Sequence, residues 1–164
     1  RSNMDRKQWS IWGRQPGFFY FAGLQSSNER INGKLMARIL IAEDEEDIRN
    51  LIIFTLNYAG HQVIATANGE QALQAAIENQ PDLAILDVRM PRMSGYEACE
   101  KIKSNVLTKD LPVVFLSAKG QENEIQTGLE KGAQEYILKP FSPEDLITSI
   151  NQILAQNTIK DQRS

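Results

Sequence analysis

The chain has 164 residues, 41% hydrophobic and 24% charged, which suits one globular domain with a real core, and no apolar run approaches the roughly 18 residues that span a bilayer. Its single cysteine excludes an internal disulfide and favours a reducing cytoplasm. The net charge of -3 divides into +4 over residues 1–35 (six Lys and Arg, two Asp and Glu) and -7 over residues 36–164 (twelve against nineteen), so the acidic main body argues against a general nucleic-acid-binding surface.

Residues 1–35 differ in composition from the rest of the chain. They contain both tryptophans and six of the twelve aromatic residues, with several Gly and Pro breakers and no helical or strand period of more than a few residues. We predict a non-domain N-terminal extension or leader, because Met36 opens the first regular strand and makes a plausible native start. Two alternatives stay open, a docking arm and a membrane-surface anchor, since aromatic residues mixed with basic ones suit either.

From Met36 the chain alternates between short apolar runs and segments with helical spacing. The continuous runs predict strands that are buried on both faces, over residues 38–42, 62–65, 83–87, 112–117 and 135–139. After the first strand comes an acidic cluster, in which Glu45, Glu46 and Asp47 are expected to form a solvated first helical turn.

Five helices are predicted between and after these strands. The first carries an apolar face at helical spacing until Gly60 ends it, from Ile48 through Leu51, Ile52, Thr55 and Leu56 to Ala59. The second turns Leu73, Ala76 and Ile77 inward and stops before Pro81. The third and fourth cover residues 96–103 and about 122–131. Ser142 caps the fifth, with Pro143 at its first position, and the core face of this helix is Leu146, Ile150, Ile153 and Leu154.

This alternation predicts an α/β fold, a doubly wound five-stranded parallel sheet of (βα)5 type. At about 120 residues the natural strand order is 2-1-3-4-5, the flavodoxin-like order. The predicted domain covers residues 36–156, and residues 157–164 form a polar tail that is expected to fray.

Chemically active side chains follow four of the strands. Glu43 and Asp44 follow the first strand, Asp87 ends the third, Ser117 and Ala118 end the fourth, and Lys139 and Pro140 end the fifth. Neighbouring parallel strands bring these residues to one pocket at the switch point of the sheet. Three carboxylates together need a counter-charge, and a few carboxylate oxygens suit Mg²⁺. With Lys139 and Ser117 they form a receptor for a phosphoryl group beside a carboxylate nucleophile.

Four sequence pieces resemble the receiver domain of response regulators in two-component signalling, the CheY-like family. They are ILIAEDE at 39–45, LDVRMPRMSG at 86–95, VVFLSA at 113–118 and YILKPF at 136–141. The resemblance covers residues 37–155 and fills all five positions of the family's active constellation in order. Glu at position 43 and Ser at 117 differ from the frequent Asp and Thr but keep the carboxylate and the hydroxyl.

The resemblance implies a role for each of these residues. Asp87 accepts a phosphoryl group, and Glu43, Asp44, Asp87 and the backbone carbonyl of Arg89 hold Mg²⁺ or Mn²⁺. Ser117, the N–H of Ala118 and Lys139 bind the phosphoryl oxygens, and the Lys139–Pro140 peptide is cis. Tyr136 and Ser117 form the switch pair. Arg89 and Lys119 flank the path of the hydrolytic water, so their long basic side chains are expected to slow dephosphorylation.

The resemblance also implies the partners. The donor is a histidine kinase or a His-containing phosphotransfer protein, and the chain is a cytoplasmic switch that promotes only its own phosphoryl transfer and hydrolysis. No direct nucleic-acid contact and no transmembrane segment are expected. Because no Lys or Arg lies between Ser142 and Ile159, the surface of the fourth helix, fifth strand and fifth helix is expected to bind a downstream protein rather than a second copy.

Two other functions remain alternatives. A pseudo-receiver would bind partners without phosphorylation, although the intact set of Asp44, Asp87, Ser117 and Lys139 argues against it. A phosphatase with an Asp nucleophile of the haloacid-dehalogenase kind would want a second Asp two residues after Asp87, where Arg89 stands. Outside the pocket, His61 is expected to be a surface residue, and Cys99 a buried small hydrophobe rather than a redox site.

Overall fold

The computed structural model describes the backbone of residues 29–31 and 34–161 and the side chains of residues 36–159. Residues 1–28, the greater part of the predicted leader, lie outside this described part. The strands are β1 (Glu29–Ile31), β2 (Lys34–Met36), β3 (Arg38–Ala42), β4 (Gln62–Thr66), β5 (Leu83–Asp87), β6 (Val113–Ser117) and β7 (Glu135–Leu138). The helices are α1 (Glu46–Tyr58), α2 (Gly69–Asn79), α3 (Gly95–Ser104), α4 (Glu122–Glu130) and α5 (Pro143–Asp161).

Strands β3 to β7 form one parallel sheet in the order β4-β3-β5-β6-β7, which is the predicted order 2-1-3-4-5. A separate antiparallel ladder joins β1 to β2, with Glu29 opposite Met36. This hairpin was not predicted, because strands of three residues are too short to display a period. The Asn32-Gly33 pair between them is the sequence signal that favours a two-residue hairpin turn.

The sheet is buried on both faces, as the continuous apolar runs predict. Alternate residues of β3 and β5 belong to two cores because side chains point to opposite faces along a strand. Ile39, Ile41 and Ile85 pack under α1 and α5, with Leu56, Leu146 and Ile150 among their neighbours. Leu40 and Leu86 pack on the other face under α2 and α3, with Ala72, Ala98 and Ile102. Every residue of β5 and β6 is buried, which fixes the strand ends that carry the polar residues.

Three helices begin at side-chain caps near the carboxyl edge of the sheet. Asn68 accepts a hydrogen bond from the N–H of Gln71 at the start of α2. Ser94 and Glu97 form a reciprocal capping box at the start of α3, and Ser142 accepts from the N–H of Asp145 in α5. These caps satisfy N–H groups of the first helical turns, so each helix can start directly behind the loops that follow the strands.

The structure differs from the sequence predictions in the length of α5 and in the core face of α1. Helix α5 continues to Asp161, where the sequence predicted a polar tail from residue 157. No Gly or Pro follows Pro143 in the chain, so nothing in the sequence stops this helix. On α1, Leu51 is 43% exposed rather than part of the core face. None of the helices in the described part of the chain combines the length and the apolar character that crossing a membrane requires.

His61 is buried, and its prediction as a surface residue is wrong. Only 4% of its surface is exposed, and its Nδ1 accepts a hydrogen bond from the N–H of Ala37 at 3.3 Å. Nε2 lies 3.1 Å from Oδ1 of Asn151 on α5. Because Nδ1 is an acceptor, Nε2 carries the proton and donates to Asn151. The ring therefore joins the start of β4 to the start of β3 and to α5.

Replacement of His61 by leucine is expected to lower the free energy of unfolding by about 1–3 kcal/mol, because the buried N–H of Ala37 loses its acceptor. Urea denaturation followed by circular dichroism measures the change. The matched control is Asn151→Ala, which removes a partner whose own residue is exposed and is expected to cost less. Equal stability of His61→Leu and the unmodified chain would contradict the structural role of this ring.

Cys99 lies in α3 with 0% exposure, as the sequence predicts. Its thiol donates to the backbone oxygen of Lys131 at 3.5 Å, and burial raises its pKa to about 11. A thiol that is both buried and protonated at neutral pH reacts slowly with disulfides and oxidants. Cys99 is therefore a packing residue between α3 and the end of α4.

Candidate functional site

The carboxyl edge of the sheet brings together the polar residues that follow β3, β5, β6 and β7. Asp87 is the last residue of β5 and is only 5% exposed. Ser117 ends the neighbouring β6 and is 3% exposed. Glu43 follows β3 directly, and its N–H donates to the backbone oxygen of Thr66 at the end of β4. The strand register sets Glu43 level with Asp87 and Ser117 one residue further along, so these side chains meet at one edge of the sheet.

Glu43, Asp44 and Asp87 form an acidic cluster. Each offers a carboxylate oxygen, and these oxygens lie within 4.8 Å of one another. Glu43 is fully buried, whereas Asp44 is exposed, so the cluster is open to solvent on the side of Asp44. Three carboxylates this close repel one another unless a positive charge lies between them.

Lys139 supplies part of that positive charge. Its Nζ lies 2.6 Å from Oε2 of Glu43 and 3.2 Å from Oδ1 of Asp87, and its side chain is 12% exposed. The N–H of Lys139 donates to the backbone oxygen of Ser117 at 2.8 Å, which ties the end of β7 to the end of β6. The Lys139–Pro140 peptide bond that follows is cis.

The electrostatics of the cluster favour additional positive charge. Desolvation by burial raises the pKa of both Glu43 and Asp87, against the lowering effect of Lys139. A neighbouring carboxylate raises each pKa further, Asp87 acting on Glu43 and Asp44 acting on Asp87. Burial works to lower the pKa of Lys139, but its contacts with Glu43 and Asp87 outweigh burial, and the pKa is raised. The lysine therefore stays charged and leaves the carboxylates short of one further cation.

The donor set of the cluster fits a hard divalent cation. Every available ligand atom is a carboxylate oxygen, which Mg²⁺ and Mn²⁺ prefer. Oε2 of Glu43 is buried and has no partner of hydrogen-bond geometry, so its 2.6 Å contact with Lys139 is an ion pair with unused acceptor capacity. Arg89 lies two residues after Asp87, and its backbone N–H works to lower the pKa of the Asp87 carboxyl, against the effect of burial.

One side of the pocket is formed by the loop after β6. Oγ of Ser117 accepts a hydrogen bond from the N–H of Lys119 at 3.1 Å, so the hydroxyl is held at the turn that leaves the strand. Ala118 and the side chain of Lys119 are exposed beside it, and the side chain of Arg89 is exposed on the loop after β5. The structure therefore places one buried hydroxyl at this edge and two basic side chains on the surface.

Tyr136 connects this loop to α3 and α4. Its hydroxyl donates to the backbone oxygen of Lys119 at 3.4 Å and lies 3.5 Å from the hydroxyl of Tyr96. Its ring packs edge-on against Phe115, with centroids 6.3 Å apart. Gly128 of α4 makes room for it, since a Cβ there would lie 2.9 Å from Cδ2 of Tyr136. A displacement of the Lys119 carbonyl therefore acts directly on the Tyr136 side chain through this hydrogen bond.

Two residues that support the site were missed from the sequence. Nη1 of Arg49 in α1 donates to the backbone oxygens of Glu43 and Asp44, at 2.7 and 3.2 Å, and so fixes the loop that carries both carboxylates. The N–H of Gly95 donates to the backbone oxygen of Val88 behind Asp87, at 3.1 Å. For Arg49 the only sequence signal was a basic residue shortly after the acidic residues Glu43 and Asp44. For Gly95 it was a glycine shortly after Asp87.

Comparison with known proteins identifies what this arrangement resembles. The model of the response regulator receiver domain matches residues 39–151. The phosphate regulon transcriptional regulatory protein PhoB of Pseudomonas aeruginosa is 40% identical over 116 residues, which are 71% of this chain and 51% of that protein. The alkaline phosphatase synthesis transcriptional regulatory protein PhoP of Bacillus subtilis is 38% identical over 122 residues, 74% of this chain and 50% of that protein. The chain spans about half the length of these curated relatives.

Two solved structures share the fold over nearly their whole length. A putative response regulator from Chloroflexus aurantiacus superposes with a TM-score of 0.70 at 37% identity, covering 73% of this chain and 98% of that structure. The chemotaxis protein CheY4 of Vibrio cholerae superposes with a TM-score of 0.69 at 32% identity, covering 71% of this chain and 98% of that structure. The predicted fold and the predicted family resemblance are therefore both confirmed.

Proposed function

The chain belongs to the response regulator receiver domain family, and on that premise we propose that Asp87 is the residue on which it accepts a phosphoryl group. Receiver domains of this kind are signalling switches of phosphorylation-dependent two-component systems, rather than classical enzymes. The observation that carries the proposal is the position of the Asp87 carboxylate, which lies 3.2 Å from Nζ of Lys139 within an acidic cluster at the sheet edge.

The proposed reaction is an in-line transfer. A carboxylate oxygen of Asp87 forms a bond to phosphorus while the bond from phosphorus to the donor nitrogen breaks, and the donor imidazole keeps that electron pair. Lys139, the Ser117 hydroxyl and the N–H of Ala118 hold the phosphoryl oxygens. Glu43, Asp44, Asp87 and the carbonyl of Arg89 would hold Mg²⁺ or Mn²⁺, which when bound neutralises charge on the phosphoryl oxygens. The donor is a histidine kinase or a His-containing phosphotransfer protein.

The signal is read by the residues around Ser117. The new group adds roughly -1.5 to -2 charges beside Lys139. Ser117 moves toward these charges, and Tyr136 follows because its hydroxyl bonds to the carbonyl of Lys119 in the same loop. The output surface is the face formed by α4, β7 and α5, which binds a downstream protein. The domain itself, at -7 over residues 36–164, makes no direct contact with nucleic acid.

The proposal is tested by incubating the purified chain with Mg²⁺ and a small phosphodonor, phosphoramidate or acetyl phosphate, and measuring the intact mass. A gain of one phosphoryl group is expected, and chelation of the metal with EDTA is expected to reduce the gain to background, because the carboxylate cluster then keeps its full repulsion toward the incoming phosphate. A chain that gains no phosphoryl group from either small donor, nor from a His-containing phosphotransfer protein, would favour the pseudo-receiver instead.

The aspartyl phosphate is expected to be fairly persistent, because Arg89 and Lys119 crowd or order the path of the hydrolytic water. Both side chains are exposed on the loops that follow Asp87 and Ser117. In the double variant Arg89→Ala with Lys119→Ala, dephosphorylation is expected to become about threefold to tenfold faster. A tenfold increase corresponds to an activation free energy that is lower by about 1.4 kcal/mol. The loss of the phosphorylated mass after removal of the donor gives the rate.

The control for this pair is Lys101→Ala with Lys109→Ala, which removes two exposed basic side chains outside the loops that follow Asp87 and Ser117 and is expected to leave the rate unchanged. An unchanged rate in the Arg89 and Lys119 variant would end the assignment of these residues to dephosphorylation. A slower rate would also end it, since the two side chains would then assist the water rather than exclude it.

A further inference from the structure

Helix α1 carries an apolar stripe on its outer face as well as its core face. Leu51, Phe54 and Tyr58 are 43%, 70% and 80% exposed and follow one another at spacings of three and four residues. The rings of Phe54 and Tyr58 stack, with centroids 6.5 Å apart and an interplanar angle of 17°. Single exposed apolar residues are ordinary, but a contiguous exposed stripe with two aromatic rings is typical of an interaction surface. These three residues are called the α1 stripe below.

The N-terminal part of the chain enters the described structure beside the carboxyl end of α1. The N–H of Ala37 donates to His61, and the N–H of His61 donates to the backbone oxygen of Leu56 in the last turn of the helix. Glu29 lies opposite Met36 in the β1–β2 ladder, so the hairpin returns the chain to the same end of α1. Glu29, the first residue that the structure describes, therefore lies toward the carboxyl end of α1, where Tyr58 is the last residue.

We propose that the aromatic run Phe18–Phe21 packs on the α1 stripe of the same molecule. Seven residues, 22–28, separate this run from Glu29 and span at most about 25 Å when extended. The 13 residues of α1 are about 20 Å long, so the run reaches Tyr58 and Phe54 without strain. Four consecutive aromatic residues and an exposed aromatic stripe cover each other's apolar surface.

Charge complementarity favours the same occupant. The predicted leader, residues 1–35, carries a net charge of +4 and the remainder of the chain -7. The first turn of α1 is acidic, with Glu46 and Asp47 exposed. When the chain runs back along α1 from Tyr58, Arg14, four residues before Phe18, comes toward this acidic end. An exposed attraction of this kind is weakened by salt, because charges at the surface are screened.

A second apolar pair offers a matched control site. Val106 and Leu107, which follow α3, are 77% and 57% exposed. They lie in the turns between Ile102 and Leu111, two residues of the core on the face of the sheet opposite to α1. The last turn of α3, which precedes them, is basic, with Lys101 and Lys103. The leader is therefore expected to distinguish the α1 stripe from this pair.

Tryptophan fluorescence tests the proposal, because both tryptophans precede residue 13 and none occurs afterwards. The reporter chain carries Trp9→Phe, Trp12→Phe and Phe19→Trp, which places one fluorophore within the run. Its emission in dilute buffer is expected at shorter wavelength than in denaturant, with reduced quenching by acrylamide. Adding Phe54→Ser with Tyr58→Ser is expected to abolish both effects, whereas Val106→Ser with Leu107→Ser is expected to preserve them.

Three outcomes would overturn the proposal. Emission at the fully exposed wavelength in the reporter chain would show that the run is uncovered, and a shift that survives Phe54→Ser with Tyr58→Ser would place it on another surface. A shift that disappears on dilution would assign the stripe to a second copy of the chain. All variants are expected to accept a phosphoryl group normally, since the α1 stripe is outside the pocket, so failure of this proposal and failure of the proposed function are separate results.

Discussion

Replacement of Asp87 by asparagine is expected to abolish phosphoryl incorporation completely, while the chain stays folded. Asparagine has nearly the same shape as aspartate, but its neutral amide oxygen is not a nucleophile toward phosphorus. The remaining carboxylates do not replace it, because Glu43 is fully buried against Lys139 and Asp44 lies at the solvent side of the cluster. Intact mass after incubation with Mg²⁺ and phosphoramidate measures the loss.

The same variant is expected to be more stable than the unmodified chain at pH 7 in the presence of EDTA. Burial raises the pKa of Asp87, so the folded state holds this proton more tightly than the unfolded state and loses stability as pH rises between the unfolded and the folded pKa. Asparagine does not titrate, so the variant does not lose this stability. The difference in stability between Asp87→Asn and the unmodified chain is expected to disappear at pH values below the pKa of an aspartate in the unfolded state. Urea denaturation across this pH range measures the difference.

The control for both measurements is Asp110→Asn, which changes an exposed carboxylate near the start of β6. It is expected to keep the full phosphoryl gain and to leave stability unchanged, as surface substitutions usually do. A phosphoryl gain that persists in Asp87→Asn would mean that another side chain is the acceptor. Peptide mapping of the phosphorylated chain would then locate it.

The residues of the pocket were predictable because they follow strands that the sequence displays clearly. Runs such as Leu83–Asp87 are apolar throughout, and parallel strands bring their carboxyl ends to one edge whatever the loops do. Asp87, Ser117 and Lys139 therefore had to lie near one another once the strand order was known. The acidic cluster followed from the same reasoning and needed no knowledge of the loop conformations.

The residues that hold the pocket in place were not predictable in this way. Arg49 acts on backbone oxygens of Glu43 and Asp44, and such contacts leave no period in the sequence. His61 is buried because α5, which begins some eighty residues later in the chain, packs over the start of β4 and offers Asn151. Leu51 fits a core-facing helical period, yet the sheet covers only the neighbouring face of α1. Each of these features depends on tertiary packing, which local spacing does not contain.

Gly95 gives the second large expected effect, this time on stability. It is the first residue of α3, and a Cβ at this position would overlap the backbone oxygen of Asp87 and lie 2.9 Å from its carbonyl carbon. Backbone atoms at the end of a fully buried strand cannot move aside as the tip of a side chain can. Either α3 or the end of β5 must therefore shift when the glycine is replaced.

Gly95→Ala is expected to lower the free energy of unfolding by about 3 kcal/mol, the upper part of the range for overpacking. Alanine is favoured over glycine in a helix by up to about 1 kcal/mol, so a loss of stability here isolates the clash. Gly120→Ala is the control, because its Cβ would meet only the flexible end of Leu138, which is 43% exposed. Urea denaturation compares the two.

Because the clash displaces Asp87 itself, Gly95→Ala is also expected to slow phosphoryl incorporation under conditions where the chain remains folded, whereas Gly120→Ala is not. A Gly95→Ala chain as stable and as readily phosphorylated as the unmodified one would mean that β5 and α3 are not packed as closely as this geometry requires.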